Sequence, residues 1–205
     1  MEAVLMYFNL ICASIMMQAY NVSINIWAFG VVSALASAPL TSIMSLLAKS
    51  YLVILPVLAL YLYFKKDKNV YSFIIAGILL YIIADIIKLI LQEPRPCAIP
   101  GEVTWLNGMV QCESGFALPS AHATVLTGIA LFFRGYKYLR VVYVVWLLLI
   151  LFGRVYLGAH YFTDVVAGSL LSIAIVYVLS RYSDVINRTA NGLVERIIPK
   201  AAIKQ

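Results

Sequence analysis

Residues 70–91 read VYSFIIAGILLYIIADIIKLIL. A helix needs about 20 consecutive apolar residues to cross the roughly 30 Å hydrocarbon core of a bilayer. This stretch has that length, and its only two charges, Asp85 and Lys88, fall near one end. It predicts a transmembrane helix. Similar runs lie on both sides. Ser45 to Phe64 precedes it and closes on Lys65, Lys66 and Lys68. Ala121 to Phe133, Val141 to Leu157 and Tyr161 to Leu179 follow. Residues 3–19 could form a further span that includes Cys12. Residues 24–44, with Gly30 and Pro39, suit an interfacial or broken helix. The expected fold is all-α: a polytopic transmembrane helix bundle of six spans, or five, forming one domain over residues 1–205.

Composition agrees. The chain is 63% hydrophobic and 12% charged, whereas soluble domains are about half apolar and about a quarter charged. No basic region precedes the first apolar run, so no signal peptide is expected. The net charge of +6 does not point to nucleic acid, because the basic residues lie in short loops between spans.

Lysine and arginine in such loops favour the cytoplasm. If the loop at 65–68 is inside, so are the loop at 134–140 and the tail at 184–205. These regions and Arg181 hold eleven of the fifteen basic residues. Lys49, Lys88, Arg95 and Arg154 remain, all near the opposite ends of spans. Charge near the membrane is costly, so a functional reason for keeping them there is expected. The only two histidines, His122 and His160, map to the same outer face.

Spacing sharpens the pattern. Asp85 and Lys88 are three apart on one helix face and read as an ion pair. Arg95, between Pro94 and Pro96, is forced into an extended turn. His160 and Asp164 are four apart at a helix start and share a face. Asp164 can then hold one imidazole nitrogen and leave the other as a base or nucleophile. The helices that begin after Pro119 and at Tyr161 both run inward, so both N-termini point outward. Unpaired amides and the helix dipole favour an anion there. With three cationic side chains, the site suits a phosphate or diphosphate.

Lys88-x6-Arg95-Pro96, Pro119-Ser120-Ala121-His122 and Arg154-x5-His160-x3-Asp164 together resemble the three-part signature of the type 2 phosphatidic acid phosphatase superfamily. The superfamily also includes vanadium haloperoxidases and glucose-6-phosphatase. The match covers residues 88–164. Ala121 stands where the family usually has glycine, and Gly153 where it usually has serine. The resemblance implies that His160 attacks phosphorus, that Asp164 orients it, and that His122 protonates the leaving oxygen and then activates water. Lys88, Arg95, Ser120, Ala121 and Arg154 would hold the phosphoryl oxygens, with Asp85 and Pro96 in support. No metal or other cofactor is expected.

A site at the membrane face favours a lipid phosphate partner that arrives laterally within the bilayer. The resemblance ranks a polyprenyl diphosphate first, then phosphatidic acid or phosphatidylglycerol phosphate. A lipid phosphotransferase and a non-enzymatic anionic-lipid binder or transporter are the competing readings. The expected location is a cell membrane, multi-pass, with the active site on the non-cytoplasmic face. In the loop over the site, Cys97 and Cys112 could pair, Trp105 reads as an interface anchor, and Glu102 and Glu113 as solvated charges. Asn21-Val22-Ser23 matches a glycosylation acceptor. The basic, partly apolar tail reads as an interfacial helix.

Overall fold

The computed structural model describes residues 23–106 and 108–197. Residues 3–19 with Cys12, the Asn21-Val22 part of the acceptor sequence, Asn107 and the last eight residues lie outside the described residues. Eight α-helices run through the described part: α1 Ser23–Ala34, α2 Ala38–Lys49, α3 Tyr51–Phe64, α4 Val70–Leu91, α5 Ala121–Ala130, α6 Lys137–Tyr156, α7 Phe162–Ser180 and α8 Ser183–Ile197. Short 3-10 turns occupy Pro96–Ala98, Thr104–Leu106 and Leu131–Gly135. There is no strand among the described residues.

Among the described residues three helices are long and apolar enough to cross a membrane: α4, α6 and α7. The expected six spans are not reached among the described residues. Helices α1 and α2 form one broken unit, bent by 120°. Ser37 is extended there and Pro39 opens α2. A proline is tolerated in a first turn but cannot continue a preceding helix. The Tyr156 hydroxyl holds this elbow, 2.9 Å from Thr41 Oγ1 and 3.2 Å from the Ser37 amide. The expected run from Ser45 to Phe64 is divided at Ser50, whose hydroxyl accepts a 2.9 Å hydrogen bond from Trp146 Nε1. Helix α5 is short, as its apolar run requires, and tightens into a 3-10 turn after Ala130.

The bundle has two chemically different ends. At one, the Tyr136 hydroxyl donates to Asp67 at 2.7 Å, and the Ser72 amide donates to Asn187 of α8 at 3.0 Å. The basic loops and the amphipathic tail helix therefore gather together. At the other lie residues 92–120 and the turn at 157–161. Large apolar side chains such as Leu52, Leu89, Val142 and Leu170 point outward, as a bilayer-facing surface requires.

Helix α5 is the central element, packed between α4 and α7. A Cβ at Gly168 of α7 would lie 2.7 Å from the Ser120 carbonyl oxygen and 2.8 Å from Thr124 Oγ1. Small residues allow such close approach between helices in a membrane. This contact sets Ser120 and His122 against the start of α7. Gly168→Ala is expected to cost about 1–3 kcal/mol by overpacking against fixed backbone. A lowered midpoint of thermal unfolding in detergent would show it, and an unchanged midpoint would refute the close-contact account.

Candidate active site

Helix α4 ends at Gln92, whose left-handed backbone directs its amide to the Lys88 carbonyl. Arg95 then lies extended, φ −73° and ψ 146°, where Pro96 disfavours helix. Buried Pro96 opens the following 3-10 turn. Backbone bonds stitch this segment down. The Ala117 amide donates to the Glu93 carbonyl, and the Cys97 amide to the Gly158 carbonyl, each at 2.8 Å. Cys97 and Cys112 form a disulfide, with Cα atoms 5.6 Å apart. Trp105 proves to be a pin rather than only an interface anchor: its Nε1 donates to the Tyr156 carbonyl at 2.9 Å, and its ring packs on Phe29.

These ties bring the separated motifs together. Arg95 Nη1 donates to the Ala159 carbonyl at 3.1 Å and lies 3.5 Å from His160 Nε2. Arg154 is 1% exposed. Its two terminal nitrogens grip Glu113 in a bidentate pair at 2.6 and 2.5 Å. The same carboxylate reaches Arg95 at 3.2 Å. Glu113 is thus not the solvated loop charge expected. The hydrogen bond from Arg154 and the positive charge of Arg154 and Arg95 hold its carboxyl at about 2, against the opposing effect of burial. An anion already bridges the two guanidiniums.

His160 is 1% exposed and Asp164 is fully buried. Nδ1 faces Asp164 Oδ2 at 3.6 Å, too long for a formed hydrogen bond. The same carboxylate oxygen accepts instead from the Tyr161 amide at 2.8 Å. Catalytic hydrogen bonds are often slack before substrate binds and tighten afterwards. Nε2 faces Arg95. Burial, then the positive charges of Arg154, Arg95 and Lys88, push the imidazole well below its usual range. It is therefore neutral, with a lone pair to offer. All three motif cations act on this one ring.

Ser120 caps α5, its Oγ accepting from the Ala123 amide at 3.4 Å, and the Ser120 amide reaches the Asp164 carbonyl at 3.2 Å. Ala121 is the first helical residue, so its amide and that of His122 precede any intrahelical partner. The start of α7 differs from expectation. Asn25 of α1 takes the Thr163 amide at 3.1 Å and returns a 3.0 Å bond to its hydroxyl. Asn25 thus takes one α7 amide from any anion, while the first amides of α5 stay available. His122 Nε2 lies 3.2 Å from the Ala48 carbonyl, which makes that nitrogen the proton carrier. Its ring meets Tyr51 edge-on. Lys88 pairs with Asp85 at 3.9 Å.

Sequence reasoning missed the parts played by Glu113, Asn25 and Tyr156. Asn25 carried one signal, a polar amide among apolar residues. Glu113 carried none, since a loop carboxylate is ordinarily solvated.

A membrane-type helix bundle with a buried imidazole and a guanidinium-lined anion site at one end is the class these features define. Residues 68–188, more than half of the chain, match the model of the PAP2 superfamily. The chain belongs to that superfamily and is a membrane phosphatase. It is 25% identical over 156 residues to an undecaprenyl-diphosphatase of Sulfolobus acidocaldarius, covering 74% of each chain. Its fold is similar to that of a transmembrane PAP2-type phosphatidylglycerolphosphate phosphatase from Bacillus subtilis. That match has a TM-score of 0.63 at 20% identity, covering 89% of this chain and 94% of the other.

Glu93, beside the site, is 3% exposed, and its Oε2 has no hydrogen-bond partner among the described residues. Burial raises its carboxyl from 4.5 to about 7. The folded state therefore holds a proton that the unfolded state releases at lower pH. This contribution is complete below the unfolded glutamate range and is lost as pH rises through about 7. Glu93→Gln is uncharged throughout. The unfolding midpoint of the variant relative to the native chain should therefore rise between about pH 5 and about pH 8. A difference independent of pH would contradict a buried, proton-holding Glu93.

Proposed function

We propose that this chain hydrolyses a polyprenyl diphosphate through a phospho-histidine on His160. The observation that carries the reading is the neutral, buried His160 with its Nε2 beside the Arg95–Arg154 anion cradle. In the first step Nε2 forms a bond to the terminal phosphorus. The bond from phosphorus to the lipid-side oxygen breaks, and its electron pair stays on that oxygen. His122 gives the oxygen a proton. In the second step His122 takes a proton from water as the water attacks phosphorus; the bond from phosphorus to His160 Nε2 breaks, its electron pair returns to the imidazole, and inorganic phosphate leaves. Asp164 orients the imidazole. Arg95, Arg154, Lys88, Ser120 and the Ala121 amide hold charge on the transferring group, where phosphoryl transfer most needs help.

The lipid preference has two supports. The Sulfolobus acidocaldarius relative is an undecaprenyl-diphosphatase. A groove of about 440 Å³ between α3, α4 and α5 reaches His122 and is lined by Tyr51, Leu55, Phe73, Ile78 and Val125 among others. It suits the hydrocarbon chain of the substrate whose phosphate lies at the cradle. The non-cytoplasmic placement of the site is supported by the basic loops at the opposite end and by the disulfide, which belongs to oxidising compartments. The same residues would serve phosphatidic acid or phosphatidylglycerol phosphate, and transfer to a lipid hydroxyl in place of water.

Detergent-solubilised protein should release phosphate from a polyprenyl diphosphate, with vanadate inhibiting and EDTA without effect. His160→Ala should lower kcat by about 10³-fold or more. Native turnover by that variant would remove His160 as the nucleophile.

Glu113 must leave the guanidiniums before a phosphoryl group can enter, so the native carboxylate competes with product and inhibitor anions. Glu113→Gln keeps the shape and removes the charge. The inhibition constant of vanadate should fall by about tenfold, the scale of one charged hydrogen bond. A constant that is unchanged or higher would show that Glu113 does not compete for the cradle.

A further inference from the structure

Lys49 is the one outward-end cation that the reaction above leaves unused. It closes α2, is exposed, and forms no ion pair among the described residues. Its surroundings are specific. The carbonyl of its neighbour Ala48 receives the His122 Nε2 proton at 3.2 Å. Tyr51, two residues further on, meets the His122 ring edge-on with centroids 4.7 Å apart and forms part of the wall of the apolar groove. Lys49 is therefore bracketed by the two residues that touch the leaving-group acid.

Lys49 also lines a cavity of about 1060 Å³, together with Thr41, Ser45, Gln111, Glu113 and Ala159. The cavity thus touches the anion cradle through Glu113 and the nucleophile's neighbour through Ala159. Among the described residues Lys49 is its only cationic lining residue. A volume of this size exceeds what a single phosphoryl group needs.

The order of groups in a lipid diphosphate fits this arrangement. The terminal phosphoryl group lies at His160. The bridging oxygen lies at His122. The second phosphate, which stays with the lipid, must lie just beyond His122, before the hydrocarbon chain enters the groove. We infer that Lys49 and the polar cavity it lines form a subsite for the non-transferred phosphate of a lipid diphosphate. This rests on the phosphatase reading above and adds the residue that selects diphosphate over monophosphate.

The chemistry gives the subsite a purpose. When the bridging bond breaks in a diphosphate, negative charge grows on a departing phosphate. A nearby ammonium stabilises that charge in the transition state more than in the ground state, which is the condition for raising the rate. A monophosphate releases a neutral alcohol after protonation, and no such charge reaches Lys49. An ordinary interfacial lysine that snorkels to the lipid headgroups would help both substrates alike.

The test compares a polyprenyl diphosphate with the polyprenyl monophosphate of the same chain length, in the same detergent, on native protein, Lys49→Gln and Lys49→Arg. The expected result is that Lys49→Gln lowers the ratio of kcat/KM, diphosphate over monophosphate, by about tenfold or more. Lys49→Arg, which keeps the charge, should retain most of the native ratio. Active variants with an unmoved ratio would overturn the subsite, as would equal losses on both substrates. If the native protein hydrolyses only the monophosphate, the subsite fails while the phospho-histidine chemistry stands. If it hydrolyses neither, the phosphatase reading fails with it.

Discussion

Burying Arg154 at the end of a helix bundle is the constraint on which this structure turns. A guanidinium stays charged at any ordinary pH, so the fold must supply an opposite charge or exclude burial. Glu113 supplies it, from a loop some forty residues earlier in the chain. The loop is held by the disulfide, by Trp105 on the Tyr156 carbonyl, and by backbone bonds from Ala117 and Cys97. An arrangement this heavily tied gives a cation site its counter-charge without making the charge permanent. A carboxylate and a phosphoryl group offer the guanidiniums similar oxygens. The resting ion pair and the substrate complex can therefore use the same donors.

The same economy appears in the helices. Helix α5 must bring Ser120, Ala121 and His122 against the His160–Asp164 turn, and side chains of ordinary size would hold α5 and α7 apart. Gly168 removes that obstacle, and the Ser120 amide then bonds directly to the Asp164 carbonyl. On the far side, the broken α1–α2 unit places Ala48 under His122. Tyr156, two residues from Arg154, fastens that unit at Ser37 and Thr41. The helix that carries a motif arginine thus also positions the helix that touches the second histidine. Among the described residues, His160 Nδ1 and Asp164 Oδ1 near the site have no hydrogen-bond partner. Stability alone would remove such groups, and a site that must accept a charged substrate retains them.

Much of this was legible in the amino-acid sequence, and for identifiable reasons. Long apolar runs declare bilayer-crossing helices because lipid offers backbone groups no partner outside a helix. Arg95 between two prolines could only be extended. His160 and Asp164 at a four-residue spacing had to share a face. The cations at the wrong end of their spans pointed to an anion because charge near a membrane is retained only for use. The count of six spans is not confirmed: three described helices are long and apolar enough to cross, and residues 3–19 lie outside the described residues. The broken helix expected over residues 24–44 is present as the 120° bend between α1 and α2, whereas hydropathy, which measures composition, gave no sign that Ser50 divides the run from Ser45 to Phe64.

Tertiary structure alone decided the partners. A carboxylate such as Glu113 carries no sign of its destination, because ion pairing depends on proximity in space. Asn25 capturing the α7 amide, Trp105 reaching the Tyr156 carbonyl and Lys49 lining a cavity shared with Glu113 and Ala159 were equally invisible. The sequence by itself determined which polar residues gather at one end of the bundle, through spacing and the energetic cost of charge. The folded chain decided what each one touches, because those contacts join segments that only packing brings together.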